Sequence, residues 1–317
     1  MRNYRPRGIC CIDGVGEPEE ITPSFPAQAC YNLHTNNRSC KPETSETSGM
    51  FTYPDFDPVA LSLGPVSIHW YGIMYIVAFG GAWGLATYRT RRNPGIWTAE
   101  QLSDLLFYCA LGAVIGGRCG SVFFYNFDRF LEEPLWLFRV WEGGMSFHGG
   151  LLGVLVAVLM YSRSIKRHFL DVADFIAPFA PFGLGAGRIG NFIGGELWGR
   201  PTDVPWGMVF PHVDNLPRHA SQLYEVALEG VALLLIVWWF SMRPRPRGAV
   251  AGVFGIGYGV FRVFIEFFRE PDRDIGYIAF DWFTMGQLLS LPMILAGLGL
   301  LYFAYRPQQA SANERRR

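Results

Sequence analysis

The sequence predicts an all-α protein, a polytopic transmembrane helical bundle of about seven spans with its N-terminus outside and its C-terminus cytoplasmic. Three observations support this. Half of the 317 residues are apolar, 16% are aromatic and only 17% are charged. Apolar runs of 17 to 24 residues recur between about residues 67 and 305, each long enough to cross a hydrocarbon core roughly 30 Å thick. The positive residues also fall unevenly between alternate loops, as the positive-inside rule requires. Lys plus Arg and Asp plus Glu number 27 each, so no basic field for nucleic acid exists and none is expected as a partner.

In chain order, the first 49 residues are polar and rich in Pro, Thr, Ser and Asn, with no apolar stretch of signal-peptide length. They read as a disordered extension. Cys10, Cys11, Cys30 and Cys40 follow no zinc-ligand spacing. A disulfide among them is the alternative and requires an oxidising compartment. The transmembrane domain is 50–306, followed by a basic cytoplasmic tail at 307–317. Its apolar runs cover about 67–88, 102–125, 145–161, 171–193, 220–241, 249–268 and 283–304. The fourth opens with Asp171 and Asp174 and contains Pro178 and Pro181, which predicts a kinked or broken span and leaves six spans as an alternative. Cys109 and Cys119, inside the second run, read as packing residues.

The loops sort by charge. Arg89, Arg91, Arg92, Arg163, Lys166, Arg167, Arg243, Arg245, Arg247, Arg306 and Arg315 to Arg317 put thirteen positive residues on one side, against six on the other. The richer side should face the cytoplasm. Arg118, Arg188 and Arg262 fall within or at the ends of apolar runs, as do Glu196, Glu225, Glu229, Glu266, His148 and His219. The topology puts all of them in the outer half. Polar groups so deep usually face a cavity or one another, so one polar chamber near the outer leaflet is expected.

Five stretches carry the chemistry. In "GLGAGRIGNFIGGELWGR", residues 183–200, a continuing helix would put Arg188, Asn191, Glu196 and Gly199 within about 140° of one another. They would line one wall, with Arg188 offering the planar fork that suits phosphate. The bland alternative pairs Arg188 with Glu196 and leaves the glycines to helix packing. In "GYGVFRVFIEFFREP", residues 257–271, Tyr258, Arg262, Glu266 and Arg269 share one helix face. Two arginines around one carboxylate would leave a positive excess for an anion; a self-satisfied pair is the alternative.

"EGGMSFHGGLLG", residues 142–153, places His148 at the outer end of the third run. It is either a hydrogen-bonded packing residue or a base, since imidazole exchanges protons near neutrality. "HWYG", residues 69–72, suits an interfacial anchor, with Tyr71 able to turn its hydroxyl inward. "PRHASQLYE", residues 217–225, brings Glu225 into position to cap a helix or pair with the arginines. No P-loop, zinc pattern, G-x-S-x-G elbow or haem-ligand pattern occurs.

With these stretches in order, the chain from about Phe51 to Arg306 resembles the bacterial prolipoprotein diacylglyceryl transferases. "GRIGNFIGGELWG" matches the family's glycine-arginine-x-glycine-asparagine-phenylalanine pattern, and "HWYG", "GGMSFHGG", "PRHASQLYE" and "EFFREP" match as well. Gly194 stands where the family usually has asparagine. Met50 stands just before the point where members usually begin, so the resemblance implies a mis-assigned start as the other reading of residues 1–49.

The resemblance implies transfer of the diacylglyceryl group of phosphatidylglycerol to the lipobox cysteine of a prolipoprotein signal peptide, at the outer side of the bacterial inner membrane. It implies no cofactor and no metal. The expected division of labour makes His148, Tyr71 and Arg262 catalytic. Arg188, Asn191, Glu196, Gly199, Tyr258, Glu266 and Arg269 would then bind the lipid, with Glu266 positioning Arg262. A transporter for an anionic solute is the competing class. It predicts inverted repeats and polar residues continuing to the cytoplasmic side, and the sequence shows neither.

Overall fold

The computed structural model describes residues 51–306 except 65, 93–94, 272–275 and 281. The expectations for residues 1–49 and for the basic tail lie outside the described residues.

The described chain is mostly helical, and each expected apolar run is helical in whole or in segments. Helix α1 spans Trp70–Arg92 and α2 spans Ala99–Tyr125. The latter opens on a capping box in which Thr98 accepts from Gln101 N–H and Gln101 reaches back to Thr98 N–H, satisfying two end donors at once. Short helix α3, Phe127–Glu132, and two 3-10 turns, Pro134–Phe138 and Val140–Glu142, lead to α4, Phe147–Ser164.

The fourth run breaks as its prolines predict, into α5, Phe169–Ile176, and α6, Ala180–Ile193, bent by 52°. The fifth run comprises α7, Ser221–Glu225, a π-helical stretch, Val226–Ala232, and α8, Leu233–Ser241. Helix α9 spans Ala249–Ile265 and α10 spans Met285–Tyr305. Among the described residues four helices are long and apolar enough to cross a membrane, or five if the bent pair counts as one span. Helix α1 is not among them, and α9, at 17 residues, falls short by length.

Packing pairs α2 with α4, α9 with α10, and α1 with α6. The α2–α4 contact is backbone against backbone. A Cβ on Gly116 would come 2.8 Å from Gly153 Cα, and one on Gly120 would come 2.7 Å from Gly149 Cα. The pair is also tied by Ser146 N–H to Gly117 O at 2.8 Å and by Tyr161 O–H to Gln101 O at 2.8 Å.

One end of the bundle is bound together by the residues of the arginine-rich loops. Arg89 donates to Ser241 Oγ and O at 2.7 and 2.8 Å, and Arg247 pairs with Asp171 at 2.6 Å. Arg167 stacks on Trp97, which stacks on Phe175. Asp174 accepts the N–H groups of Gly248 and Ala251 at the start of α9, where a carboxylate suits the positive end of the helix dipole.

Small strands stand at the other end. Strand β1, Phe51–Thr52, runs parallel to β4, Met208–Val209, which pairs antiparallel with β5, Pro217–Arg218. Strands β2, Val59–Leu63, and β3, Val66–His69, form a hairpin, as do β6, Tyr277–Ala279, and β7, Phe283–Thr284.

Candidate active site

The sequence stretch that carries Arg188 does not stay helical. Helix α6 stops at Ile193, and the chain turns through Gly195 and Leu197, at φ 64° and 59°. It then runs extended, so that Gly199 bridges Arg269. The expected single wall therefore splits. Arg188 and Asn191 remain on α6, while Glu196 returns beside it, its N–H on Asn191 O at 2.9 Å and its carboxylate at 3.4 Å from Asn191 Nδ2. Gly199 lies where no side chain fits, because a Cβ would stand 2.5 Å from His219 O and 2.6 Å from Phe268 O. At Gly194 a Cβ would meet only ordinary contacts, including Glu196 Cδ at 3.7 Å, so the backbone there has room for a larger residue.

Arg188 pairs with neither Glu196 nor an empty cavity. Its Nε lies 3.2 Å from Glu225 Oε2 and its Nη2 3.6 Å from Glu229 Oε2. Arg262 Nη1 donates to Glu225 Oε1 at 2.5 Å and lies 3.9 Å from Glu229 Oε1, while its Nη2 is 2.9 Å from Glu266 Oε2. Arg269 Nη1 completes the set, 3.8 Å from Glu266 Oε1. Three helices thus bring three guanidinium groups and three carboxylates together.

The positive excess expected from Arg262, Glu266 and Arg269 alone is offset by Glu225, which pairs with the arginines as its stretch allowed, and by Glu229, expected only as a deep carboxylate of the chamber. Their spacing of four within an apolar run was the available signal. Burying such pairs costs several kcal/mol of desolvation per ion, repaid only by close partners. The two carboxylates are fully buried, whereas Arg188 is 17% exposed. Its Nη1 has no ion pair or hydrogen bond among the described residues, leaving one donor edge of the cluster available.

Tyr71 lies against this region. A Cβ on Gly190, one residue before Asn191, would come 3.1 Å from the Tyr71 ring, so the bare glycine makes room for it. Tyr258 is half-buried on α9, one turn before Arg262, and stacks on Phe254. His148 is exposed at the start of α4, with a ring contact to Phe147 and no hydrogen bond among the described residues. No described ion pair or hydrogen bond links it to the cluster.

Arg118 departs from the single-chamber expectation. It donates to the carbonyls of Leu137, Gly143, Gly144 and Trp136 and stacks on Trp136, fastening the loop between α2 and α4. The oppositely charged groups of the chamber are elsewhere.

A frame of polar contacts holds the cluster's rim. Arg200 donates to Arg269 O at 2.8 Å and Glu266 O at 3.1 Å. Arg218 reaches Asp214 at 2.6 Å, Gly199 O at 3.0 Å and Glu270 at 3.3 Å, and its hydrogen bond holds Asp214 below the usual carboxylate range. Burial pushes His219 below the usual imidazole range. Tyr53 donates to the carbonyls of Phe192 and Ile193, both at 2.8 Å, fixing the end of α6.

A family model described as prolipoprotein diacylglyceryl transferase matches residues 58–303. The chain is 58% identical over 253 residues to the phosphatidylglycerol–prolipoprotein diacylglyceryl transferase of Marinomonas sp., covering 80% of this chain and 94% of that one. It is 57% identical over 260 residues to the enzyme of the same name from Coxiella burnetii, covering 82% and 100%. It is 56% identical over 261 residues to that of Pseudomonas aeruginosa, covering 82% and 98%.

Proposed function

The chain belongs to the prolipoprotein diacylglyceryl transferase family, and from that premise we infer that it transfers the diacylglyceryl group of phosphatidylglycerol to a prolipoprotein cysteine, the first step of lipoprotein maturation. The observation that carries the reading into the site is the available edge of Arg188 beside Arg262, within a buried ionic cluster.

The reaction is a displacement at the glyceryl carbon. The cysteine sulfur forms a bond to that carbon, the carbon–oxygen bond to phosphate breaks, and the electron pair leaves with glycerol phosphate. Thiolate is the competent nucleophile, and the departing phosphate needs fixed positive charge. Arg188 and Arg262 supply that charge, and Glu266 holds Arg262 in orientation. Asn191, Glu196 and Tyr258 orient the glycerol headgroup, Gly199 gives the rim its close backbone approach, and Arg269 steadies Glu266. His148, whose ring is not committed to a described hydrogen bond, takes the thiol proton directly or through Tyr71.

On the same reading the protein lies in the inner membrane with seven spans, N-terminus outside, C-terminus cytoplasmic, and the cluster toward the outer leaflet. The arginine tally supports this orientation, as does the gathering of Arg89, Arg167 and Arg247 at the end of the bundle away from the small strands. The acceptor is a signal peptide with its cysteine at the end of an apolar run, and the donor lipid enters sideways from the bilayer.

Purified protein incubated with phosphatidylglycerol and such a peptide should add the mass of a diacylglyceryl group to the peptide. Arg188→Ala should abolish that product while the protein stays inserted, because losing one fixed donor to a developing anion costs about a hundredfold or more. Unchanged turnover would remove Arg188 from the site.

A further inference from the structure

The displacement described above uses the guanidinium groups and leaves two buried carboxyls, Glu225 and Glu229, without a task; Glu225 is hydrogen-bonded to Arg262, and Glu229 is not. Glu229 stands in the π-helical turn Val226–Ala232, a wide turn frequent at functional sites. Its nearest cations are at 3.6 and 3.9 Å, and both of its oxygens are buried without a hydrogen-bond partner.

The other two carboxyls differ. Glu225 accepts from Arg262 at 2.5 Å and has Arg188 at 3.2 Å. Glu266 has Arg262 at 2.9 Å and sits against Gly286 in the first turn of α10, where the helix end favours negative charge. Each of these two keeps one oxygen without a hydrogen bond; Glu229 keeps both. A buried carboxylate with no hydrogen bond is the form that burial disfavours most. The charged and titratable groups facing Glu229 are Arg188 from α6, Arg262 and Tyr258 from α9, Glu266 just beyond α9, and Glu225 one turn earlier.

Charge counting gives that proton a role. With all three glutamates ionised, Arg188, Arg262 and Arg269 are matched and the cluster has no net charge to offer an anion. With one proton on a carboxyl the cluster carries a single positive charge, equal and opposite to that of a phosphodiester. We propose that Glu229 is the proton-holding member of the cluster, a positioning residue whose neutral carboxyl leaves Arg188 and Arg262 one net positive charge for the lipid phosphate. Binding and protonation are then linked: each favours the other. The inference rests on the transferase reading for the identity of the anion.

Infrared spectra of the wild-type protein in lipid nanodiscs should show a protonated-carboxyl stretch that shifts in deuterium oxide and with carbon-13 glutamate labelling, and that is absent from Glu229→Gln. In the transfer assay the wild-type KM for phosphatidylglycerol should rise with pH as that carboxyl ionises, by up to about tenfold per pH unit. The rise should be lost in Glu229→Gln. No labelled protonated-carboxyl band in the wild type would overturn the proposal, and that measurement stands even if the variant fails to insert. A band that survives in Glu229→Gln, or a KM that climbs equally in the variant, would also overturn it. The infrared signal needs no turnover, so a band that is present and lost in Glu229→Gln, in a protein that transfers nothing, would uphold the proton while removing the transferase reading.

Discussion

Arg118 and Arg262 are buried to nearly the same degree, 3% and 8% exposed, yet they sit in opposite kinds of surroundings. Arg118 is enclosed by neutral carbonyls and the face of Trp136. Arg262 is enclosed by carboxylates. Carbonyl dipoles cannot leave or change charge, so the first arrangement spends its guanidinium on fastening a loop. Carboxylates can be protonated or can share a guanidinium with another anion, so the second arrangement can exchange partners with a substrate. Residue type and solvent exposure are alike in the two cases, although Arg262 lies far deeper in the bundle; the chemistry of the acceptors decides what each arginine can exchange.

Alanine at each position is the most direct way to break this comparison. Arg262→Ala should lower transfer by about two to three orders of magnitude in an otherwise inserted protein, measured as lipidated peptide per unit of enzyme. Gly199→Ala comes next. The added methyl must displace the backbone at His219 and Phe268, a strain of about 1–3 kcal/mol. Transfer should fall by about tenfold together with a lower unfolding temperature.

Arg118→Ala should cost about 2–3 kcal/mol of local stability, since four carbonyls lose a charged donor. Limited proteolysis between residues 126 and 146 should quicken, with transfer by the intact fraction altered far less than in Arg262→Ala. Equal losses at the two arginines would erase the distinction. The smallest effect concerns Asp214, whose ionised form is favoured in the fold. A carboxyl with a depressed native pKa contributes stability above its unfolded value, near 3.9, and that contribution fades as pH falls through the native one. The hydrogen-exchange protection factor at Met208 and Val209, paired to the strand that carries Arg218, should therefore fall only under acidic conditions and stay level from neutral to mildly alkaline pH.

The helices were legible because apolar length and proline breaks are local. Pro178 and Pro181 mark the bend between α5 and α6, and Thr98 with Gln101 marks the start of α2. The arginines at the site were legible too, as charges misplaced in apolar runs. The sequence could not separate Arg118 from Arg188, because each follows a glycine-rich apolar turn and what differs is the loop that folds over one of them. Nor could spacing along an assumed helix place Glu196 and Gly199, since the chain leaves the helix at Gly194 and Gly195. Glu225 was legible as a partner for the arginines and Glu229 as a deep carboxylate, but that both meet Arg188 of α6 and Arg262 of α9 depends on three helices converging, which no single stretch encodes.

The glycines between α2 and α4 repeat every four residues, at 112, 116 and 120 on one helix and at 149 and 153 on the other. A slide of one helical turn, about 5.4 Å, would set glycine against glycine again, so this seam alone does not choose its own alignment. The choice falls to polar pins at its ends, Ser146 on Gly117 and Arg118 on Gly143 and Gly144 at one, Tyr161 on Gln101 at the other. The height at which His148 is held along the bundle axis therefore depends on a few hydrogen bonds, some beside it and one far below.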